Sequence, residues 1–464
     1  MKFDSLITEY DDSLSGDSYI DPLGQQVIWS SFGQKIFNSR VNSVSNDVRN
    51  FTLNLLHHGV IRSILQDGLV TVSPALAEAV GDKESLPFIH ACLIYLENVF
   101  TYSMVDKPEE ADIDTLGILG GSNGRTKMEE SGQNPSLLFT DKKEGHLLVR
   151  QLGLGVSGRY KTPFVEMGFF DHSYRYFHQK SEKNWGAFKA LLENHGELRD
   201  CFHQAKKHLI ELVNDSYSKS QVPPQRQFRD IPVALREAYR KAFATQGKVG
   251  AETKAFWLDV TGLNEGAAGA LLETLEDYHS TATNEKLAPK EVFGRAEERC
   301  EPPGERRKIQ HIQIVEPLLA ELDLLFRLAR HKKVQSVSDV RGSWKDLGRT
   351  DHTLQDAAGR IWDTSDLLPT LQGTARRRLQ KLLNVATNES LEEQLKGLLK
   401  YHSQVMRERG QFRWVEAVHD VEIRVYGRTE PLPKAEKRPI GAWVNGYYVH
   451  QFYNLVAGYQ GGTQ

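Results

Sequence analysis

The sequence predicts a mainly α protein, in which helical domains carry winged-helix-like β hairpins, and three observations predict it. Apolar residues recur every three or four positions along most of the chain, almost without interruption from Asp171 to about Asn388. That period puts one face of a helix into a core. Prolines and glycines fall between the periodic segments, as in VPPQRQ and CEPPGER, and so mark loops. Twice, around 136–152 and 412–426, two short apolar runs flank a polar turn and come after a helical segment, which is a hairpin signal.

Composition sets the limits. The 464 residues, 39% of them hydrophobic, suffice for about three domains with cores of their own. Fifty-eight basic residues face 61 acidic ones, so no global charge points to polyanion coating or to a membrane surface. Cys92, Cys201 and Cys300 are few, odd in number and far apart, which fits a reducing cytoplasm. The acidic start (Asp4, Glu9, Asp11, Asp12) lacks a signal-peptide core and no run approaches a membrane span, so a cytoplasmic protein without membrane contact is expected.

In chain order, residues 1–22 read as a polar lead-in. Asp11, Ser13, Ser15 and Gly16 imitate a calcium loop, but Pro22 stands where the closing Glu belongs. Ser45 can cap a helix with Val48, Phe51, Leu55, Leu56 and Ile61 on one face, and Asp67-Gly68 ends it. Ser73 and Pro74 open a second helix that Gly81 closes, and Pro87 to Val105 forms a third with a wide apolar face. His57 and His58 are adjacent, hence on different faces, and read as one surface and one core residue.

From Gly120 to Phe170 several chemical signals coincide. Ser122 to Gly132 reads as a helix with Arg125 and Lys127 in its first turns, and Ser136–Thr140 with Leu147–Leu152 as a hairpin around a basic turn. Residues 119–161 hold seven cations (Arg125, Lys127, Lys142, Lys143, Arg150, Arg159, Lys161) against four acids, Glu129, Glu130, Asp141 and Glu144. Such a surface neutralises phosphates by counterion release, and Tyr160 offers a face on which an unpaired base stacks. The plainer reading is a solvated face.

Three enzyme motifs nearly appear here. Gly153, Gly155 and Gly158 fit GxGxxG, but no second strand supplies the acid a dinucleotide site needs. LGGSNGRT at 119–126 resembles a phosphate loop with Leu119 and Arg125 at the wrong positions, and Ser157 stands in an elbow whose second glycine is Arg159. The plainer account of these glycines is sharp turns that need positive φ.

Beyond Asp171 the periodic segments Trp185–Asn194, Leu198–Val213, Val233–Gln246, Glu265–Tyr278 and Ile309–His331 predict helices, with linkers at Gln221–Arg229 and Glu301–Arg306. Pro317 should kink or restart the last helix. Cys201, His203 and His208 do not converge on a helix, so no metal is expected there. His331, Lys333 and Asp339 form a nuclease-like box with the acid one place late, and Asp420, Glu422 and Arg424 imitate a metal-nuclease hairpin with Arg for Lys. Arg376, Arg377 and Arg378 on a helix at Thr374–Leu383 spread over about 200° of the helix circumference and read as a solvated face rather than a phosphate grip. After PLPKAEKRP comes an aromatic tail, of which Trp443, Tyr448, Phe452 and Tyr459 are the candidate partner-docking residues if they do not fold onto the chain's own body.

The chain so divides into an N-terminal helical domain (1–110), a winged-helix-like basic module (111–175), a helical middle domain (176–388) and a helix-hairpin module with the aromatic tail (389–464). The blocks IDPLGQQVIWSSFGQKIF, RQLGLGVSGRYKTPFVEMGFF and NGYYVHQF resemble a type of bacterial protein with no assigned activity, of the sort carried in phage-defence or mobile-element operons. The resemblance implies work inside a multi-protein DNA-handling system and brings no catalytic residues or cofactor. The expectation is a non-catalytic subunit that contacts double-stranded DNA through Arg125, Lys127, Lys142, Lys143, Arg150, Arg159, Tyr160 and Lys161 and joins other protein subunits. A metal-dependent nuclease or other hydrolase, and a protein-only scaffold, are the rival readings.

Overall fold

Short polar side chains open the first helices. Asp47 accepts the Arg49 backbone N–H at 2.8 Å, and Ser73 and Ser85 accept those of Leu76 and Phe88, each meeting a donor that the first helical turn leaves unpaired. The computed structural model describes residues 21–280, 288–418 and 421–461. In chain order its elements begin with α1 (Gln26–Ile36), α2 (Val48–Gln66), α3 (Pro74–Val80), α4 (Leu86–Val105), α5 (Gly121–Glu130) and β1 (Ser136–Leu138). Next come α6 (Gln151–Leu154), α7 (Val156–Met167), α8 (Gln179–Asn194), α9 (Gly196–Asn214), β2 (Gln225–Gln227), α10 (Val233–Phe243), α11 (Gln246–Thr261) and α12 (Gly266–Ser280). The rest are α13 (Pro289–Arg299), α14 (Pro303–Ala329), β3 (Val334–Ser336), α15 (Val337–Asp346), α16 (Thr353–Trp362), α17 (Leu367–Thr370), α18 (Gly373–Ala386), α19 (Leu391–Glu408), β4 (Val415–Val418), β5 (Glu422–Val425) and α20 (Val449–Tyr459). The chain is mainly helical, as its periodicity predicts.

Among the described residues two compact units form, one from 39–264 with 451–461 and one from 21–38 with 265–450. These cuts differ from the four consecutive segments expected, because each unit recruits a terminal stretch that sequence order places elsewhere.

In the unit of 39–264, α2 and α4 are central. α2 is buried nearly throughout, including Asn50, Asn54, His57 and His58, and α7, α9 and α11 surround it. The expectation that one of the two histidines reaches the surface is corrected: His57 bonds the Tyr239 hydroxyl at 2.9 Å and His58 the Tyr176 hydroxyl at 2.7 Å. α4 is long and apolar enough to cross a membrane, against the sequence expectation, and 94% of that window is buried within the protein. Residues 451–461 lie on α11, where glycines permit close approach: a Cβ on Gly250 would overlap the Gly458 carbonyl.

The predicted first hairpin is not formed. β1 pairs antiparallel with β2, with Ser136 opposite Gln227 and Leu138 opposite Gln225, while 147–152 is not a strand and turns into α6. The reason is the Gln151 side chain, whose Oε1 accepts the Leu147 backbone N–H at 2.7 Å and curls the chain.

In the other unit α14 is the axis, carrying Pro317 within its length, and α1, α13, α15, α16 and α19 pack on it. Buried carboxylates on α14 tie down later segments of the chain. Glu316 accepts from the backbones of Val444 and Asn445, the Asn445 amide and the Tyr447 hydroxyl at 2.6–3.0 Å, and Glu321 pairs with buried Arg349 at 2.8 Å. The second predicted hairpin exists, β4 against β5 with Val415 opposite Val425, and β3 adds to β5 as a third strand. Its turn, His419-Asp420, lies outside the described residues, as does the calcium-loop imitation at Asp11–Gly16.

Candidate nucleic-acid interface

The 145–158 segment is held from below by α4. Glu97, midway along α4 and buried, accepts the Ser157 backbone N–H at 2.7 Å and the Gln151 amide at 3.2 Å. Gln151 also donates to Asn98 at 2.8 Å, and Asn98 donates to the Gly145 carbonyl at 2.7 Å. Burial pushes the Glu97 carboxyl pKa up, and the bonds from Ser157 and Gln151 oppose that shift. The carboxylate therefore caps the positive end of α7, the place where an anionic ligand would otherwise sit.

That capping explains the glycine spacing. A Cβ on Gly155 would overlap the Glu97 carboxylate and the Gln151 carbonyl, and one on Gly158 would overlap the Leu152 carbonyl. Neither residue has positive φ, so the turn explanation is corrected: these glycines are needed for close approach, whereas Gly120 at φ 79° does require a left-handed backbone. The cavity among Leu53, Glu97, Gly120, Leu147 and Gly155 has only about 10 Å³, the room of one water at most. Ser157 is buried, which removes it as an exposed nucleophile.

The predicted contact residues divide into two groups. Arg125, Lys127, Lys142, Lys143 and Arg150 are exposed. Arg125 donates to the Thr115 hydroxyl at 3.2 Å, and Lys127 pairs with Glu130 at 3.1 Å. α5 joins the Lys142–Arg150 segment through Asn123, which donates to the Leu147 carbonyl at 3.1 Å. The second group turns inward. Arg159 is half-buried and donates to the Leu154 carbonyl at 2.8 Å. Lys161 is half-buried with its ammonium 4.1 Å from the Tyr174 ring centre, and burial lowers its pKa, opposed by Asp171. Tyr160 is fully buried, its hydroxyl on the Val44 carbonyl at 2.7 Å and its ring 4.5 Å from Phe51. Its proposed stacking role is corrected: helix rotation between neighbours carries position 160 to the core side.

A cluster missed from sequence lies behind Lys161. His58 stacks on Tyr174 and lies 4.3 Å from the Phe170 ring, and its Nε2 has no hydrogen-bond partner. Burial pushes its pKa well down, and His57, Lys161 and His90 add to the shift. The density of aromatics in FFDHSYRYFH was the available signal.

In the other unit a cleft of about 130 Å³ opens between α18 and α19, lined by Arg377, Arg378, Lys381, Tyr401 and Glu408. Arg378 donates to the Gly24 carbonyl at 3.2 Å and lies 3.9 Å from Glu408. The Arg378 Nε and the buried Tyr401 hydroxyl have no hydrogen-bond partner.

The remaining sequence candidates have structural roles. Among the described residues no three His, Cys, Asp or Glu side chains gather to hold a metal. Cys201 is buried and His208 bonds the Tyr95 hydroxyl at 3.0 Å. Lys333 donates to the Gly427 carbonyl, Asp339 caps α15 through Ser336, and Glu422 pairs with Arg424, with Asp420 outside the described residues. The aromatic tail is corrected as a docking surface. Tyr448, Phe452 and Tyr459 are buried, and Trp443 is half-buried against Phe293 at 5.5 Å; the stripe fills the chain's own core.

Compared with protein-family models, with curated proteins and with solved structures, the chain matches none.

Proposed function

We propose that this protein binds double-stranded DNA through phosphate contacts, without chemistry of its own, as a cytoplasmic subunit of a multi-protein bacterial DNA-handling system. One observation supports the reading above the others. Lys142, Lys143 and Arg150 are exposed on a segment fixed at Gly145, Leu147 and Gln151 by hydrogen bonds. A segment whose backbone is already in place needs only its side chains ordered on meeting a phosphate backbone, and the energy comes from counterions released. Arg125 on α5 extends the set. Arg159, Tyr160 and Lys161 are left out of it, and base readout is not part of it. In this reading the β4–β5 hairpin that follows α19 is wing-like.

Anisotropy of a labelled duplex between 50 and 200 mM salt tests the proposal. With Arg125, Lys142, Lys143 and Arg150 engaged, the log–log slope should lie near −3 to −4, from about 0.9 per phosphate contact. The triple variant Lys142→Glu, Lys143→Glu, Arg150→Glu should abolish binding at the higher salt. Cleavage of the duplex on adding a divalent metal would replace the reading with a nuclease, and no affinity for DNA or RNA at low salt would replace it with a scaffold.

A further inference from the structure

We infer that the cleft between α18 and α19 binds a phosphate group, presented either as inorganic phosphate or as the terminal monoester of a larger ligand. The site lies in the unit of 265–450 and shares no residue with the DNA surface proposed above.

Helix geometry assembles it. Arg377 and Lys381 are four residues apart and Arg378 lies three before Lys381, so the three cations occupy one side of α18. On α19, Tyr401 and Glu408, seven residues apart, face the same space, about 130 Å³ in volume. That is room for several waters, or one tetrahedral oxyanion with part of its ester.

Charge selects the ligand. Glu408 stands 3.9 Å from Arg378 and is half-exposed, so it offsets one of the three cations. Two positive charges remain, which match a phosphate dianion better than a carboxylate. Hydrogen bonding points the same way. Tyr401 is 5% exposed and lines the cleft, yet its hydroxyl bonds nothing in the protein, and the Arg378 Nε donor is likewise unused. Buried polar groups are normally satisfied, so two idle donors on residues that line one basic cleft mark a place for an acceptor-rich group. Arg377 supplies a third donor group, steadied by the Thr374 hydroxyl at 3.0 Å.

Calorimetric titration of the full chain with inorganic phosphate, and with one oligonucleotide in its 5′-phosphorylated and 5′-hydroxyl forms, tests the inference. Arg377→Glu and Lys381→Glu alter exposed positions, and Tyr401→Phe removes only an unbonded hydroxyl, so thermal unfolding should be unchanged in all three. Arg378 is left intact because it also holds the Gly24 carbonyl. The expected result is saturable binding of phosphate, or a preference for the phosphorylated oligonucleotide, weakened roughly tenfold or more by either charge reversal and less by Tyr401→Phe. Binding of free phosphate identifies the small anion as sufficient, and binding only of the phosphorylated strand identifies the monoester. Absence of saturable binding for both probes, or binding that survives Arg377→Glu and Lys381→Glu, overturns the inference.

Discussion

Glu97 on α4 holds the first turn of α7 by accepting the Ser157 backbone N–H at 2.7 Å. A buried carboxylate thus fixes the base of the segment that displays Lys142, Lys143 and Arg150.

Replacing Glu97 by Ala leaves the Ser157 N–H without its acceptor and removes one of two acceptors from the Gln151 amide, all in the interior. We expect a loss of about 3 kcal/mol in denaturant unfolding, with Glu97→Gln losing less because it retains one acceptor. Equal stability of Glu97→Ala and the parent would refute the anchoring role.

The close approach at the same turn makes a second prediction. Gly155→Ala and Gly158→Ala should each cost about 2 kcal/mol through overlap with the Glu97 carboxylate and the Leu152 carbonyl. Gly153, with open space around it, should accept Ala at no cost. Melting curves of the three variants decide the matter, and similar values for all three would contradict it.

Tyr160→Phe separates core from surface. It should cost about 1 kcal/mol through the lost bond to the Val44 carbonyl and leave DNA affinity unchanged. A drop in affinity without a drop in stability would return Tyr160 to the interface.

Acid should destabilise the protein through its buried imidazoles. Burial lowers the pKa of His57 to about 3 and of His208 to about 4, against an ordinary 6.5. The unfolded chain then binds more protons than the native one between those values and 6.5, so stability falls as pH drops through that window. By pH 4 the loss is on the order of 3 kcal/mol per ring. Glu97 and Glu316 act in the opposite sense. Their raised pKa values remove stability as pH climbs above 4.5. The His208→Gln variant should therefore show a shallower decline in denaturation midpoint between pH 6.5 and 4 than the parent, and an unchanged slope would count against the assignment.

The helices were legible where caps and periodicity agreed. Ser73, Pro74 and Gly81 bracket α3 as expected, and α2 begins two residues later than predicted because Asp47 rather than Ser45 caps it. The first hairpin was not legible. Its strand finds β2 far along the chain, a pairing that local alternation cannot encode. Of the contact residues, the exposed cations at 125–150 followed from composition. The inward turn of Arg159, Tyr160 and Lys161 followed from their place on a helix rather than in a loop. The α18–α19 cleft was obscured because Arg376 takes no part in its lining, and only the facing residues of α19 show which neighbours belong together.

The seating of Gly458 against Gly250 bears on how the chain matures at the ribosome. Residues 39–264 emerge with the glycine stripe of α11 still bare, and nearly two hundred further residues must be translated before its cover arrives. Until then the early unit waits unfinished, and its last contacts are sealed only after the whole of 265–450 has been made.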